Sequence, residues 1–240
     1  RDAELVLVRD ALERLADGIG AIVAITGEAG IGKSRLLAEA AAPLGERVLV
    51  LEGRGLSYAQ EFPYAPVREL LRDWLGAGAT TSEARVRLDL KAALQPLFAD
   101  PDDVYPFLAG LLGLTPDAQT AARLRELNPE TVHMRSVHAV EDLVCALAGE
   151  RPVLLVLEDL HWADEPTLDL IEDLLELTER EPVGLALLYR ADREAGSWRI
   201  GERARQRYPH RYQELELRPL AADSTRALVR ELAEGDVPEP

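Results

Sequence analysis

One stretch of eight residues constrains the fold of this chain more than any other feature. Residues 27–34 read Gly-Glu-Ala-Gly-Ile-Gly-Lys-Ser, which matches the G-x-x-x-x-G-K-S pattern of a phosphate-binding loop, or P-loop. Such a loop follows a strand and opens a helix. The apolar run at residues 21–26 supplies the strand, and residues 34–42 have a helical pattern. The sequence therefore predicts a strand–loop–helix unit that binds a nucleotide.

The residue types of this loop suit a polyphosphate. Glycines allow backbone N–H groups to converge on an anion, and the helix N-terminus adds partial positive charge. The chain has two lysines against 25 arginines, and one of the two stands in this loop. We expect the compact ammonium of Lys33 to lie along the β- and γ-phosphates, and the Ser34 hydroxyl to complete a Mg²⁺ shell. The residues expected to bind the nucleotide are Gly27, Glu28, Ala29, Gly30, Ile31, Gly32, Lys33, Ser34 and Arg35.

Composition narrows the classes of protein to which the chain can belong. Its 240 residues carry a formal net charge of −16, which argues against a broad contact with a nucleic-acid backbone. A single cysteine excludes an internal disulfide and suits a reducing compartment. No apolar run reaches the length of a membrane span, so we expect a cytoplasmic protein without a membrane partner. The sequence begins at Arg1 rather than at a methionine, and we expect it to be a segment of a longer protein.

Strand-like and helix-like patterns alternate along the chain. Apolar or β-branched runs predict strands at residues 21–26, 47–52, 153–158, 183–189 and 212–217. The last run alternates between apolar and acidic residues, as an edge strand does. Helical patterns are found at residues 34–42, 66–75, 82–98, 104–112, 116–127, 129–148, 166–180 and 223–233. The alternation predicts a three-layer α/β fold with a mostly parallel sheet, and several of the helices form an insertion between the second and third strands.

A second motif lies at the end of the third predicted strand. The apolar run ends in two carboxylates, Glu158 and Asp159, which is typical of the Walker B strand of P-loop enzymes. We expect Glu158 to reach the shell of a bound Mg²⁺ and Asp159 to polarise the attacking water. Together with Lys33 and Ser34, these acids predict a Mg²⁺-dependent ATP site.

The residues that follow make a specific resemblance. Residues 157–164, Leu-Glu-Asp-Leu-His-Trp-Ala-Asp, resemble the L-D-D-L-H-W-A-D signature of bacterial STAND-type ATPases. These are the AAA-like regulatory domains of LuxR-type, maltose-regulator-like transcriptional regulators and of some multidomain cyclases and kinases. Three further segments resemble this family and extend the likeness over nearly the whole chain: Arg1-Asp2-Ala3-Glu4-Leu5, Phe62-Pro63-Tyr64-Ala65-Pro66 and Leu215-Glu216-Leu217-Arg218-Pro219-Leu220.

The resemblance implies an AAA-like P-loop NTPase with a five-stranded sheet. Residues 1–218 would form its ATPase core, with the helical insertion at about 54–152, and residues 219–240 would begin a truncated C-terminal helical lid. By the same resemblance, Arg190 would act as a catalytic sensor of the γ-phosphate, alongside Lys33, Glu158 and Asp159. Pro219 would touch the adenine of ATP or ADP.

The resemblance also implies a function. The chain would be a slow, Mg²⁺-dependent ATPase that acts as a switch in a larger signalling or transcription-regulatory protein. Its partners would be effector and sensor domains of that protein and, on activation, further copies of the chain; this segment would not bind nucleic acid directly. Two alternatives remain open: a ring-forming mechanical ATPase, and a module that holds nucleotide without hydrolysing it.

Several residues have competing interpretations. The family more often has Asp where this chain has Glu158, and the extra methylene predicts slow hydrolysis. We expect Trp162 and His161 to have structural roles, with Trp162 between the strand end and the insertion, and Asp164 to cap the next helix. Arg199, Arg203 and Arg207 are spaced to share a helix face, which fits a solvated basic face, an arginine finger or a nucleic-acid contact.

Overall fold

A computed structural model of the chain describes residues 1–55 and 63–219. Phe62 and Leu220 of the family-like segments, and the predicted helix at residues 223–233, lie outside the described residues. Within the described ranges, no helix combines the length and the apolar character that crossing a bilayer requires. Because residues 220–240 lie outside the described ranges, the division into an ATPase core and a C-terminal lid stays a prediction.

The described strands form one sheet in which every pairing is parallel. They are β1 (Ala21–Thr26), β2 (Leu49–Arg54), β3 (Val153–Glu158), β4 (Val183–Tyr189) and β5 (Tyr212–Glu216). Their spatial order is β2-β3-β4-β1-β5. Within the described residues β5 pairs with β1 alone, which confirms its predicted edge position. β2 begins two residues later than predicted, because a 3₁₀ turn occupies Ala42–Arg47.

Helices cover both faces of the sheet. The described helices are α1 (Asp2–Ala16), α2 (Lys33–Ala41), α3 (Ala65–Trp74), α4 (Glu83–Leu94), α5 (Tyr105–Leu111), α6 (Ala118–Arg125), α7 (Pro129–Glu150), α8 (Glu165–Arg180) and α9 (Gly196–Arg207). On β1, Val23 and Ile25 share a core with residues of α1 and α2. The alternate residues Ile22 and Ala24 belong to a second core, which includes α7 and α8. Both faces are buried, which explains the continuous apolar strands and confirms the three-layer α/β prediction.

Helices α3–α7 lie between β2 and β3, as the predicted insertion requires. They do not form a separate core, because Leu143 and Leu147 of α7 belong to the same buried cluster as Leu155 of β3. The predicted helix at residues 82–98 is shorter in the structure and ends at Leu94, where turn hydrogen bonds replace the helix. The insertion therefore packs directly on one face of the sheet.

The strand order determines which loops meet. Because β4 pairs with both β1 and β3, the carboxyl ends of these three strands lie side by side. β2 adds its own carboxyl end on the far side of β3. Ligands of open parallel sheets bind at such an edge. The P-loop, Arg190 and the two acids at the end of β3, Glu158 and Asp159, therefore reach one rim of the molecule.

Candidate functional site

The P-loop joins β1 to α2 and has the backbone that its glycines allow. Gly32 is the N-cap of α2 and has a left-handed backbone with φ 97°. Gly27 has φ 149°, and a Cβ there would lie 2.8 Å from the carbonyl oxygen of Leu217. Residues 28–30, between these glycines, are exposed at the tip of the loop. The loop is thus open to solvent at its tip and tightly packed at its base.

Lys33 is the buried cation of this loop. It is 9% exposed, and its Nζ donates hydrogen bonds to the carbonyl oxygens of Gly27 at 2.9 Å and Glu28 at 3.0 Å. Burial lowers the pKa of Lys33; Asp159 opposes this shift, and Arg190 adds to it. The ammonium therefore lies inside the loop, within electrostatic reach of the groups at the ends of β3 and β4.

The N-terminus of α2 is suited to bind an anion. No side chain of the described chain caps its first turn, so the turn's N–H groups remain available to a ligand. Ser34 and Arg35 lie in this turn and are exposed. Open amides, a buried ammonium and an exposed hydroxyl together suit a polyphosphate. The individual roles of these residues stay predictions.

The two acids at the end of β3, Glu158 and Asp159, are held in a fixed arrangement. Glu158 has a side chain that is only 12% exposed, whereas that of Asp159 is 40% exposed. Asp159 has a left-handed backbone, with φ 53°, and its carbonyl oxygen accepts a hydrogen bond from the N–H of Trp162 at 2.9 Å. The neighbouring carbonyl of Glu158 accepts from the N–H of Gly55 at 2.8 Å. The end of β3 is therefore fastened to the end of β2.

Arg54, the last residue of β2, belongs to the candidate site by its contacts and was missed by sequence reasoning. Its Nη2 contacts Oε2 of Glu158, its Nε lies 3.0 Å from the same oxygen, and its Nε lies 3.7 Å from Oδ2 of Asp159. The hydrogen bond and charge of Glu158 raise the pKa of Arg54. The acid expected to face a metal ion is thus paired with an arginine.

The two predicted metal ligands, Ser34 and Glu158, both supply oxygen, which Mg²⁺ prefers. Among the described residues, no group of three or more His, Cys, Asp or Glu side chains is placed to hold a metal ion. A Mg²⁺ ion here would therefore take most of its ligands from phosphate and water, as is usual in nucleotide sites. Glu158 would have to exchange part of its contact with Arg54 for the shell of the ion.

Arg190 follows β4 directly, and β4 lies between β1, which leads into the P-loop, and β3, which ends in the two acids. The side chain of Arg190 is exposed. Its Cζ is 5.9 Å from the centroid of the Trp162 ring, a cation–π distance. The position suits a group that responds to a terminal phosphate, although the sensor role itself stays a prediction. The ring of Trp162 contacts Arg190 and His161. Its expected position between the strand end and the insertion stays a prediction.

Asp164 has the capping role that the sequence predicted. Its Oδ1 accepts a hydrogen bond from the N–H of Thr167 at 3.0 Å at the start of α8. Its Oδ2 accepts another from the N–H of Tyr64 at 3.3 Å, just before α3. The hydroxyl of Tyr64 in turn contacts Nδ1 of His133 on α7. One carboxylate therefore connects the segment after β3 to the insertion.

The end of β5 also lies beside the P-loop. The N–H of Leu217 donates to the carbonyl of Thr26 at 2.8 Å. Arg1 bridges the two segments, because its Nη2 lies 3.1 Å from the carbonyl oxygens of both Ile31 and Arg218. Pro219 follows and is exposed. Its contact with adenine stays a prediction.

The three arginines of the predicted face lie on α9, and two of them, Arg199 and Arg203, form ion pairs with α8. Arg199 contacts Glu165 at 3.0 Å, Asp169 at 3.3 Å and Glu172 at 3.0 Å. Arg203 also pairs with Glu172. These contacts favour a charge-balancing role over an arginine finger or a nucleic-acid contact.

Comparison with known proteins places this site in a family. An uncharacterized protein of Rhizobium meliloti (strain 1021) is 28% identical over 239 residues, which cover 96% of this chain but 21% of that protein. The family model described as an AAA ATPase domain matches residues 1–188. That match contains the P-loop, both acids at the end of β3 and the whole insertion. The chain therefore belongs to the AAA ATPase domain family.

Proposed function

We propose that this chain is a nucleotide-dependent switch that binds Mg·ATP and hydrolyses it slowly to ADP. The observation that carries the proposal is the convergence of Lys33, Arg190 and Asp159 at adjacent strand ends. Beyond the effect of burial, Asp159 raises the pKa of Lys33 and Arg190 lowers it. Membership of the AAA ATPase domain family supports an ATPase-type activity. The slow rate and the regulatory role are our proposals.

Binding depends on the P-loop. The N–H groups of the first turn of α2 and the ammonium of Lys33 would bind the β- and γ-phosphates. In the described structure Lys33 donates to loop carbonyls of Gly27 and Glu28, so the loop already holds the ammonium in place. Mg²⁺, when bound, would neutralise charge that develops on the phosphates. Ser34 and Glu158 are the residues that would hold it.

Hydrolysis would need a base and an electrophilic partner. The carboxylate of Asp159, more exposed than that of Glu158, is placed to accept a hydrogen bond from a water at the rim. Arg190 would stabilise charge on the terminal phosphate. The pairing of Glu158 with Arg54 reduces the negative charge offered to a metal ion, which supports slow turnover.

A switch requires contacts that differ between ATP and ADP. The γ-phosphate would engage Lys33 and Arg190, whereas ADP lacks the group that Arg190 would contact. Asp164 connects the same strand end to the insertion through Tyr64. The insertion is therefore the part of the described chain that we expect to respond to hydrolysis.

We propose that this switch operates inside a longer regulatory protein of the STAND, LuxR-type class. The chain spans about a fifth of the length of its curated relative, which supports that setting. The partners would be effector and sensor domains of the same protein and, on activation, further copies of the chain. The signature at residues 157–164 supports this context. The ion pairs of Arg199 and Arg203 with Glu172 of α8 argue against a ring-forming motor, because they engage the arginines that would serve as a finger.

One observation favours a second candidate. The contact between Arg54 and Glu158 would suit a module that retains nucleotide without turning it over. Mass spectrometry of bound nucleotide, followed by measurements of turnover and oligomer size with ATP and ADP, separates the two. Turnover below about 1 s⁻¹, abolished by Lys33→Ala, with a size that differs between ATP and ADP, supports the switch. Bound ADP without measurable turnover supports the passive module.

A further inference from the structure

His161 lies in a short 3₁₀ turn, Leu160–Trp162, which starts directly after Asp159. Both of its ring nitrogens are buried, and within the described part of the chain neither has a hydrogen-bond partner. Buried polar atoms nearly always have a partner, and each exception needs an explanation. A purely structural role does not provide one, because a leucine would fill the same space without two unpaired nitrogens.

The surroundings of this imidazole are those of the candidate site. Its ring lies 5.0 Å from the ring of Trp162, over which Arg190 is placed. The turn packs against β4 and α9. Burial lowers the pKa of His161, and Arg190 and Lys33 add to this effect, whereas Asp159 and Asp192 oppose it. The groups that act on the imidazole thus include the two cations expected to bind the terminal phosphate.

A neutral imidazole carries one N–H donor and one acceptor nitrogen. The His161 ring contacts Trp162, over which Arg190 lies, so an anion bound by Arg190 would come near the imidazole. The N–H donor is the part of the ring that would gain a partner from that anion. A charge-assisted hydrogen bond to a phosphate oxygen is stronger than one between neutral groups. One of the two unpaired nitrogens of His161 would then gain its partner from the nucleotide.

We propose that His161 donates a hydrogen bond to the terminal phosphate of a bound nucleoside triphosphate and loses it when that phosphate leaves. This inference rests on the proposed function and adds a residue that distinguishes ATP from ADP. Arg190 would contact the same phosphate with a fixed positive charge, whereas His161 would contact it as a neutral donor. The sequence had suggested only a structural role for His161.

The direct test is NMR of the full chain labelled with ¹⁵N at histidine. The chain has four histidines, and His161→Gln identifies the signals of interest. A non-hydrolysable ATP analogue with Mg²⁺ should shift the ring-nitrogen signals of His161, and ADP with Mg²⁺ should leave them near their nucleotide-free positions. His210, which pairs with Glu179 on α8, is the internal control and should not respond.

Affinity measurements on the same samples give an independent readout. His161→Leu should weaken binding of the ATP analogue about tenfold while ADP affinity stays unchanged. His161→Gln, which keeps an N–H donor, should recover part of the loss. An ATP analogue that binds in a Lys33-dependent manner without moving the His161 signals overturns the inference and leaves the proposed function standing. If ADP and the analogue shift those signals equally, the inference also fails, and if neither nucleotide binds, the proposed function fails with it.

Discussion

Arg54 and Glu158 stand opposite each other as the last residues of neighbouring parallel strands, and their side chains form an ion pair across the carboxyl end of the sheet. The pair joins an arginine that is 57% exposed to a carboxylate that is 12% exposed. This ion pair gives Glu158 a structural role at a position where the family that the chain resembles more often has aspartate. The longer side chain reaches sideways to β2.

Removing the arginine should make Glu158 more available to Mg²⁺. We expect Arg54→Ala to lower the Mg²⁺ concentration needed for half-maximal turnover by about two- to fivefold, the range of an exposed ion pair. Arg47→Ala, which breaks ion pairs with Glu13 and Asp17 just before β2, is the matched control. An unchanged Mg²⁺ requirement in Arg54→Ala would show that the pair does not compete with the metal ion.

Shortening the acid should have a related effect on turnover. Glu158→Asp keeps the charge but withdraws the carboxylate from Arg54, so we expect turnover to rise while ATP affinity stays the same. Steady-state kinetics and equilibrium binding measure the two quantities separately. The double variant with Arg54→Ala should gain little over either single variant, because both act on one contact. Independent gains that simply add would contradict this explanation.

Gly55, directly after β2, allows the backbone of that strand end to lie close to Asp159. A Cβ at Gly55 would lie 2.5 Å from the carbonyl oxygen of Asp159. We expect Gly55→Ala to cost about 1–3 kcal/mol of unfolding free energy and to lower turnover, because the strand end must move. Denaturant unfolding and kinetics measure both effects. Gly78→Ala is the control, since a Cβ there meets no atom within 4 Å, and an equal loss in both variants would argue against this role for Gly55.

The main features of the site follow from local patterns in the sequence. The P-loop, the acid pair Glu158 and Asp159, and the cap at Asp164 each depend on residues that are close together in the chain. The structure places all three features in the strands, turns and helices that the patterns predict. The buried strands were equally clear, because helices on both faces make every position apolar. Local chemistry therefore sufficed for the phosphate loop and for the order of the strands along the chain.

Contacts between strands were harder to predict. Arg54 and Glu158 are 104 positions apart in the chain, and their contact depends on the register of β2 and β3. The predicted second strand also ended before Arg54. Helix α1 was also missed as an element. Its buried residues Val8, Ala11, Leu12 and Leu15 follow helical spacing, so that signal was present in the sequence.

Asp164 should stabilise the chain by more than a helix cap alone. We expect Asp164→Ala to lower the unfolding free energy by about 2 kcal/mol, the upper end for a cap, because it also leaves the N–H of Tyr64 without its acceptor. Asp117→Ala, which removes the cap of α6, should cost about 1 kcal/mol. Urea unfolding of both variants tests this, and equal losses would mean that the contact with Tyr64 contributes nothing.

The central claim is that Lys33 and the amides around it hold a polyphosphate. The most direct measurement is an equilibrium titration of the folded chain with ATP in the presence of Mg²⁺. We predict saturable binding that weakens about tenfold or more in Lys33→Ala. Lys91→Ala is the matched control and should leave binding unchanged, because this second lysine lies over Tyr105 in the insertion. Absence of binding at millimolar ATP, or equal affinity in wild type and Lys33→Ala, would contradict the account.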